Sequence, residues 1–154
     1  PGIGSFDNPI KKLKDLSLLD LFSNTNFFSN KALIGICVGM QILFENSEEG
    51  SNNGLSLIKG SVKKFSDEKL KVPHMGWNYI NTLNYYENLN EKRFYFAHSY
   101  YVECEEKYVL AYCNYGKKFP AIVRKNNIFG IQFHPEKSHK NGIDLLQSIL
   151  SEFK

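Results

Sequence analysis

The 154-residue sequence lacks the features that mark membrane-spanning or disulfide-rich proteins. No apolar run approaches the ~18 residues needed to span a bilayer. Cysteine is scarce: Cys37, Cys104 and Cys113 are an odd number without Cys-x-x-Cys spacing. This argues against a disulfide framework and against a structural zinc site. We therefore expect a cytoplasmic protein with no membrane association, no metal and no other cofactor.

Concentrated charge of one sign is also missing. The 19 Lys and Arg and the 16 Asp and Glu give a formal net charge of +3, and lysines and acids alternate along the chain. This pattern is typical of a solvated surface and argues against nucleic-acid binding. With 42% hydrophobic residues, the length suits one domain over residues 1–154 with an adequate core.

One short segment carries a chemical pattern. In Gly35-Ile36-Cys37-Val38-Gly39 the cysteine follows an apolar run and precedes a helix-like stretch. Glycines relieve backbone crowding at a sharp strand-to-helix turn, and the positive end of a helix favours a thiolate. The segment therefore predicts a nucleophile elbow. The alternative is that Cys37 is a small buried apolar residue, as free cysteines often are.

A second segment, almost a hundred residues later, supports the nucleophile. A short apolar strand ends at His134, followed by Pro135 and Glu136. Side chains two apart on an extended chain fall on the same side, so the imidazole and the carboxylate can be neighbours. A cysteine with a distant histidine and acid is typical of thiol nucleophiles. Alternatively, His134 is an ordinary strand-end residue and Glu136 a solvated charge.

Together with four further segments, these two resemble class I (triad-type) glutamine amidotransferases. The matching segments are residues 1–4, 35–41, 47–50, 72–78, 94–101 and 132–138. The cysteine elbow and the His-Pro-Glu segment are shared widely in the family and specify the chemistry. Residues 73–78 and 98–101 are more discriminating, and resemble the glutaminase subunits of imidazole glycerol phosphate synthases.

The resemblance implies a function and a set of roles. The activity would be hydrolysis of L-glutamine to glutamate and ammonia, with Cys37, His134 and Glu136 as the catalytic triad. The oxyanion hole would use the N–H of Val38 and the strand containing Gly2 and Ile3. The implied substrate-binding residues are Gly4, Gln41, His98, Ser99 and Tyr100, and the implied partner interface contains Met75, Trp77 and Lys137.

Several of these residues have plainer interpretations. Gln41 could be an exposed helix residue, and Tyr100 could be partly core packing. Met75 and Trp77 are of types that are buried by default.

The partner implied by the resemblance is a (β/α)₈-barrel cyclase subunit in a heterodimer, which would accept ammonia for imidazole glycerol phosphate formation in histidine biosynthesis. Two alternatives stay open from the residues. The first is a related subunit supplying ammonia for amination of bacterial surface sugars (lipopolysaccharide), and the second is a catalytically silent binding or regulatory subunit.

The expected fold is an α/β, flavodoxin-like sheet with an antiparallel extension. The chain begins at Pro1 within a family motif, so we expect it to lack the N-terminal βαβ unit of the family and to expose an apolar sheet edge, or to fold poorly. Periodicity and turn residues predict helices at 15–22, 40–45 and 141–153. Strands are predicted at 31–36, 61–65, 77–82, 94–96, 100–104, 109–114, 121–125 and 128–133.

Overall fold

The computed structural model describes residues 1–2, 4–23, 31–83 and 85–153. Its helices are α1 (Asp7–Asp15), α2 (Leu19–Ser23), α3 (Val38–Gln41) and α4 (His139–Ser151). Its strands are β1 (Leu33–Ile36), β2 (Asn46–Ser47), β3 (Gly60–Lys64), β4 (His74–Thr82), β5 (Arg93–His98), β6 (Tyr100–Cys104), β7 (Val109–Tyr115), β8 (Lys117–Lys125) and β9 (Ile128–Ile131). The expected mixture of helix and strand is confirmed.

Six strands form one mixed sheet in the order β1-β9-β8-β7-β4-β5. Within the described residues, the β1–β9 pair is the only parallel pair of this sheet, and the other four pairs are antiparallel. β9 is buried along its whole length between β1 and β8, which suits its continuous apolar sequence. This mixed sheet, one parallel pair continued by antiparallel strands, agrees with the expected α/β sheet with an antiparallel extension.

The remaining strands form a smaller sheet in the order β2-β3-β6. β6 has the predicted range, residues 100–104, and pairs antiparallel with β3. No sequence pattern predicts β2, which is only two residues long. Because β6 follows β5 after a single residue, Ser99, the chain passes directly from the large sheet to the small one.

The core lies on both faces of the large sheet. Adjacent residues of β8 and β9 separate into two apolar clusters, as the alternation of side chains along a strand requires. Ile122 and Phe129 belong to the cluster under α4, whereas Val123 and Ile128 pack against the elbow side with Met40. Both faces of the central strands are therefore covered.

The N-terminal helix was predicted in the wrong place. The structure has α1 at Asp7–Asp15 and only a short α2, not one helix over 15–22. Pro9 is tolerated in the first turn, where backbone N–H groups lack helical partners. Ser17 has a positive φ of 55°, which separates the two helices. The polar residues 23–26 were expected to end the predicted helix, and of these, residues 24–26 lie outside the described residues.

The helix after the elbow is earlier and shorter than the predicted range 40–45. α3 spans Val38–Gln41, because the carbonyls of the next residues are used elsewhere. Ile42 O accepts from the N–H of Leu55, and Leu43 O accepts from Leu57 and Ile58. The 54–58 loop thus takes the hydrogen bonds that a longer helix would need.

The C-terminal helix is confirmed. The residues whose helical spacing predicts its apolar face are Ile143, Leu146, Ile149, Leu150 and Phe153, and this face is partly wrong. Ile143 and Leu150 are 58% and 53% exposed, while Leu145 and Ile149 are fully buried. A Cβ on Gly142 would lie 1.9 Å from Pro135 O, so only glycine permits this close approach. That contact sets the rotation of α4 and directs Ile143 outward.

β1 is an edge strand within the described part of the chain. An apolar groove of about 290 Å³ lies beside it, lined among others by Leu13, Leu33 and Leu55. Among the helices of the described ranges, none has both the length and the apolarity needed to cross a bilayer.

Candidate active site

Cys37 lies at a strained turn between β1 and α3. Its φ of 55° is in the left-handed region, which is uncommon for a residue with a side chain. Its N–H donates to Ile131 O at 2.7 Å, which ties the turn to the end of β9. A Cβ on Gly35 would lie 2.3 Å from Gly39 O, so the first glycine of the motif is required by crowding. A Cβ at Gly39 would make only ordinary contacts, the nearest being 3.8 Å from Pro1 N, so crowding does not explain that glycine.

His134 and Glu136 are brought together just after β9. The carboxylate Oε1 lies 2.7 Å from His134 Nδ1, and the imidazole is buried. Because a carboxylate only accepts, Nδ1 carries the proton and Nε2 is left with the lone pair. Ser138 Oγ donates to His134 O at 2.6 Å and accepts from the N–H of Tyr95 at 3.0 Å, which holds this turn against β5.

Cys37 and His134 line the same cleft, which has a volume of about 240 Å³. Most of the residues predicted from the sequence also line it. They are Gly2, Gly4, Val38, Gln41, Met75, His98, Ser99, Tyr100 and Lys137. The predicted triad, substrate-binding segment and part of the predicted interface thus meet at one place.

The thiol of Cys37 is not a resting thiolate, contrary to the expectation from its position at a helix start. Burial raises its pKa to about 11, and the hydrogen bond from the N–H of Val38 offsets this only in part. α3 has only four residues, so its macrodipole is small. The thiol points at Ala97 O, with a sulfur–oxygen distance of 3.9 Å. It must therefore lose its proton during the reaction.

The carboxylate of Glu136 is only partly protected from water, with its side chain 51% exposed. Partial burial, the largest single influence, acts to raise its pKa, but the hydrogen bond from His134, the N–H of Glu136 itself and the charges of His134 and Lys137 together outweigh it and hold the pKa below its usual value. Glu136 is therefore ionised at neutral pH and fixes the tautomer of His134.

The N-terminal segment lies beside the nucleophile. Gly2 forms an isolated parallel bridge with Cys37, and Gly4 lines the cleft with a positive φ of 113°. A Cβ on Gly2 would lie 3.3 Å from Val38 Cβ, which is a tight contact. Ile3, also predicted for the oxyanion hole, lies outside the described residues.

Gln41 is buried, not exposed on a helix surface. Its Nε2 donates to Tyr100 O at 3.0 Å and to Gln132 Oε1 at 3.2 Å, so both amide hydrogens are used inside the protein. The backbone of Tyr100 therefore holds Gln41 in a fixed orientation at the cleft wall.

The imidazole of His98 belongs to a buried chain of hydrogen bonds that uses both of its nitrogens. Tyr100 O accepts from His98 Nδ1 at 2.7 Å, so His98 Nε2 accepts from His74 Nδ1 at 3.0 Å. His74 Nε2 in turn accepts from the amide of Asn78 at 3.2 Å. Since both His98 nitrogens are used, a ligand in the cleft would meet this segment through its backbone. Sequence reasoning missed His74, whose partner is 24 residues away.

This histidine pair should make the fold sensitive to acid. Burial lowers the pKa of His74 to about 4 and that of His98 to about 3, so the folded state favours the neutral rings. The ordinary pKa of histidine is about 6.5. Below that pH the unfolded chain binds protons that the folded chain does not bind, so the free energy of unfolding decreases as the pH is lowered. Thermal melting between pH 7 and pH 4 should show this loss.

A His98→Asn variant should show a shallower loss of melting temperature with pH, even if it is less stable at pH 7. His139→Asn is the matched control, because that ring stacks on Trp77 at the surface. Equal slopes for the parent and the His98→Asn variant would contradict this account.

Glu49 is a further site residue that sequence reasoning did not assign. It is the only carboxylate among the described residues that line the cleft, and its Oε2 accepts from the N–H of Phe6 at 2.8 Å. Its neighbour Glu48 points elsewhere, to Lys63 Nζ and the N–H of Lys64. The feature of the sequence that could have indicated Glu49 is the pair of adjacent acidic residues in the matching segment 47–50.

The outer face of β4 is exposed and aromatic. Met75, Trp77 and Tyr79 alternate with inward residues and are 64%, 38% and 54% exposed, so the alternative that Met75 and Trp77 are core residues does not hold. The guanidinium of Arg93 lies 5.9 Å from the Trp77 ring and 5.8 Å from the Tyr79 ring. Lys137 lies beside the same face, with Nζ 5.7 Å from the Tyr95 ring. We call this surface, defined by Met75, Trp77, Tyr79, Arg93 and Lys137, the β4 face.

The sequence is similar to known proteins along nearly its whole length. A family model described as glutamine amidotransferase class-I matches residues 15–151. Imidazole glycerol phosphate synthase subunit HisH of Leptospira borgpetersenii is 47% identical over 160 residues, which cover 98% of this chain and 78% of that protein. Subunit HisH 2 of Methanococcus maripaludis is 45% identical, over 99% of this chain and 78% of that protein.

The fold is also similar to that of a solved structure. A crystal structure of a glutamine amidotransferase superposes with a TM-score of 0.69 at 19% identity, covering 92% of this chain and 70% of the other. At that identity the likeness supports the fold alone.

Proposed function

The chain belongs to the class I glutamine amidotransferase family, and we propose that Cys37, His134 and Glu136 are its catalytic triad. It is a glutaminase subunit of imidazole glycerol phosphate synthase and serves histidine biosynthesis together with the cyclase subunit. One observation carries the triad proposal. Cys37 and His134 share one cleft, and His134 Nδ1 is bonded to Glu136 at 2.7 Å, which leaves Nε2 as the base.

The proposed reaction begins with attack of the Cys37 sulfur on the side-chain amide carbon of glutamine. His134 Nε2 takes the thiol proton and delivers it to the departing ammonia, leaving a thioester that water hydrolyses. Glu136 orients the imidazole and stabilises its charged form. The N–H of Val38, directly after the nucleophile, would donate to the developing oxyanion, with the segment of Gly2 and Ile3 as the second donor.

The amino-acid end of glutamine would lie toward Glu49 and the 98–100 segment. Glu49 supplies the negative charge that an α-ammonium group requires. Gly4, Gln41, His98, Ser99 and Tyr100 would complete the pocket, with the backbone of 98–100 facing the ligand.

Labelling with 6-diazo-5-oxo-norleucine, a glutamine-mimicking electrophile, tests this function. We expect an adduct on the Cys37 peptide, found by mass mapping with a cyclase subunit present, and protection by excess glutamine. Cys104, a half-buried thiol on β6, is the internal control and should stay unlabelled. Absence of the Cys37 adduct would overturn the proposal and leave a binding subunit.

Glu49→Gln should raise KM for glutamine by about 10- to 100-fold with a smaller change in kcat, because a hydrogen bond to a charged group contributes ~1.5–3 kcal/mol. The side-chain amide introduced at position 49 keeps an oxygen that can accept from the N–H of Phe6, so the loop that carries position 49 should stay in place. Steady-state glutaminase kinetics measure the effect. Glu48→Gln is the control and should leave KM at the parental value, because its carboxylate is bonded outside the cleft.

The β4 face is the proposed docking surface for a (β/α)₈-barrel cyclase subunit in a heterodimer. Its exposed methionine, tryptophan and tyrosine are of the types enriched in interfaces. Met75 and Lys137 line both this face and the cleft, so ammonia released at Cys37 would leave beside the partner. The relatives from Leptospira borgpetersenii and Methanococcus maripaludis are both subunits of imidazole glycerol phosphate synthase, which does not favour the alternative role in surface-sugar amination.

A further inference from the structure

Gln132 lies next to the proposed nucleophile and is fully buried. It follows β9 directly, and its N–H donates to Ala121 O at 2.9 Å. Its side-chain Nε2 donates to Cys37 Sγ over 3.9 Å. The proposed mechanism gives this contact no role.

The orientation of the Gln132 amide follows from a backbone carbonyl. Tyr100 O can only accept, so Gln41 must present its Nε2 to it. The second hydrogen of that nitrogen goes to Gln132 Oε1 at 3.2 Å. Gln132 therefore turns its oxygen to Gln41 and its N–H to the sulfur of Cys37. His98 Nδ1 donates to the same Tyr100 carbonyl and holds it in place.

Besides the N–H of Val38, the sulfur has two polar neighbours that act oppositely when the thiol ionises. Ala97 O accepts the thiol proton at present and has nothing to accept once that proton leaves. The N–H of Gln132 can donate to a thiol and donates more strongly to a thiolate. A buried anion without donors is costly, and burial here strongly disfavours the charged sulfur.

We propose that Gln132 is a catalytic residue that stabilises the Cys37 thiolate through its side-chain N–H, and that Gln41 is the positioning residue that aims it. The inference rests on the proposed function only in taking the Cys37 sulfur as the reacting atom.

The test is the rate of Cys37 alkylation by iodoacetamide as a function of pH, followed by mass mapping of the Cys37 peptide in the full chain. Gln132→Met keeps the side chain long but removes the donor. We expect the midpoint of the rate–pH curve to rise by about one unit, and the rate at neutral pH to fall about threefold because a more basic thiolate is also more nucleophilic. A midpoint equal to the parental one would overturn the proposal.

Gln41→Met provides a second variant in case the first fails to fold. It removes the group that orients Gln132, so the midpoint should rise, by less than in Gln132→Met. The double variant should match Gln132→Met, because Gln41 acts through Gln132. Shifts that add independently would overturn the positioning role. Gln147→Met, on the exposed side of α4, is the control and should leave the curve unchanged.

Alkylation requires neither glutamine nor a partner, which separates the two proposals. A chain that shows the expected shifts but never hydrolyses glutamine would overturn the proposed function alone. If the chain hydrolyses glutamine but its alkylation curve is the same in the parent and in Gln132→Met, this inference alone would be overturned.

Discussion

Replacing Cys37 by alanine is expected to lower kcat for glutamine hydrolysis by about 10⁴-fold or more, the scale seen when a triad nucleophile is removed. The thioester cannot form without the sulfur, and the oxyanion donors alone leave little catalysis. Alanine keeps a Cβ at the strained φ, so the turn itself should be no more strained than in the parent. Glutamate release in the presence of the cyclase subunit measures the loss.

Cys104→Ala is the matched control, because this thiol is half-buried on β6, outside the cleft, and burial raises its pKa to about 11 as well. Its activity should stay close to the parental rate. If the Cys37→Ala protein still hydrolyses glutamine near that rate, another group must be the nucleophile.

Replacing His134 by alanine should lower kcat by about 10³-fold, because positioned acid–base groups contribute about 10²–10⁴-fold. Nε2 is the only base proposed to take the thiol proton, and the thiol is protonated at neutral pH since burial raises the pKa of Cys37 to about 11. Stopped or steady-state assays of glutamate formation, with thermal melting to show that the variant folds, provide the measurement.

Glu136→Gln should have a smaller effect, about 10- to 100-fold, since a half-exposed carboxylate is screened by water whereas a buried triad acid is not. The amide can still accept from His134 Nδ1 but lacks the charge that stabilises the imidazolium. A loss as large as that of His134→Ala would contradict the screened role given to Glu136.

The turns that carry Cys37 and His134 were predictable from the sequence because the residues that indicate them are close together in the chain. Five consecutive residues around Cys37 indicate the elbow. The pairing of His134 with Glu136 follows because the two side chains are two residues apart in the sequence. Strand β6 could be placed to the residue, since turn residues and β-branched or aromatic residues bound it closely. The resemblance then supplied roles for residues that lie on five different segments.

The rest depends on tertiary packing. The His74–His98 hydrogen bond forms because β4 and β5 pair these two residues directly. The register of that pairing cannot be predicted from the sequence of either strand alone. The exposure of Ile143 follows from the close approach of Gly142 to Pro135. The raised pKa of Cys37 comes from burial by distant segments, which a motif does not reveal.

The alternation of side chains along β4 restricts how the sequence of this strand can change during evolution. His74 and Asn78 point inward to the hydrogen-bond chain, while Met75, Trp77 and Tyr79 point outward. Because side chains alternate with a period of two, inserting or deleting one residue would exchange the two sets. Lineages that alter the outer face are therefore restricted to substitutions, and the nine-residue length of this strand should be inherited unchanged.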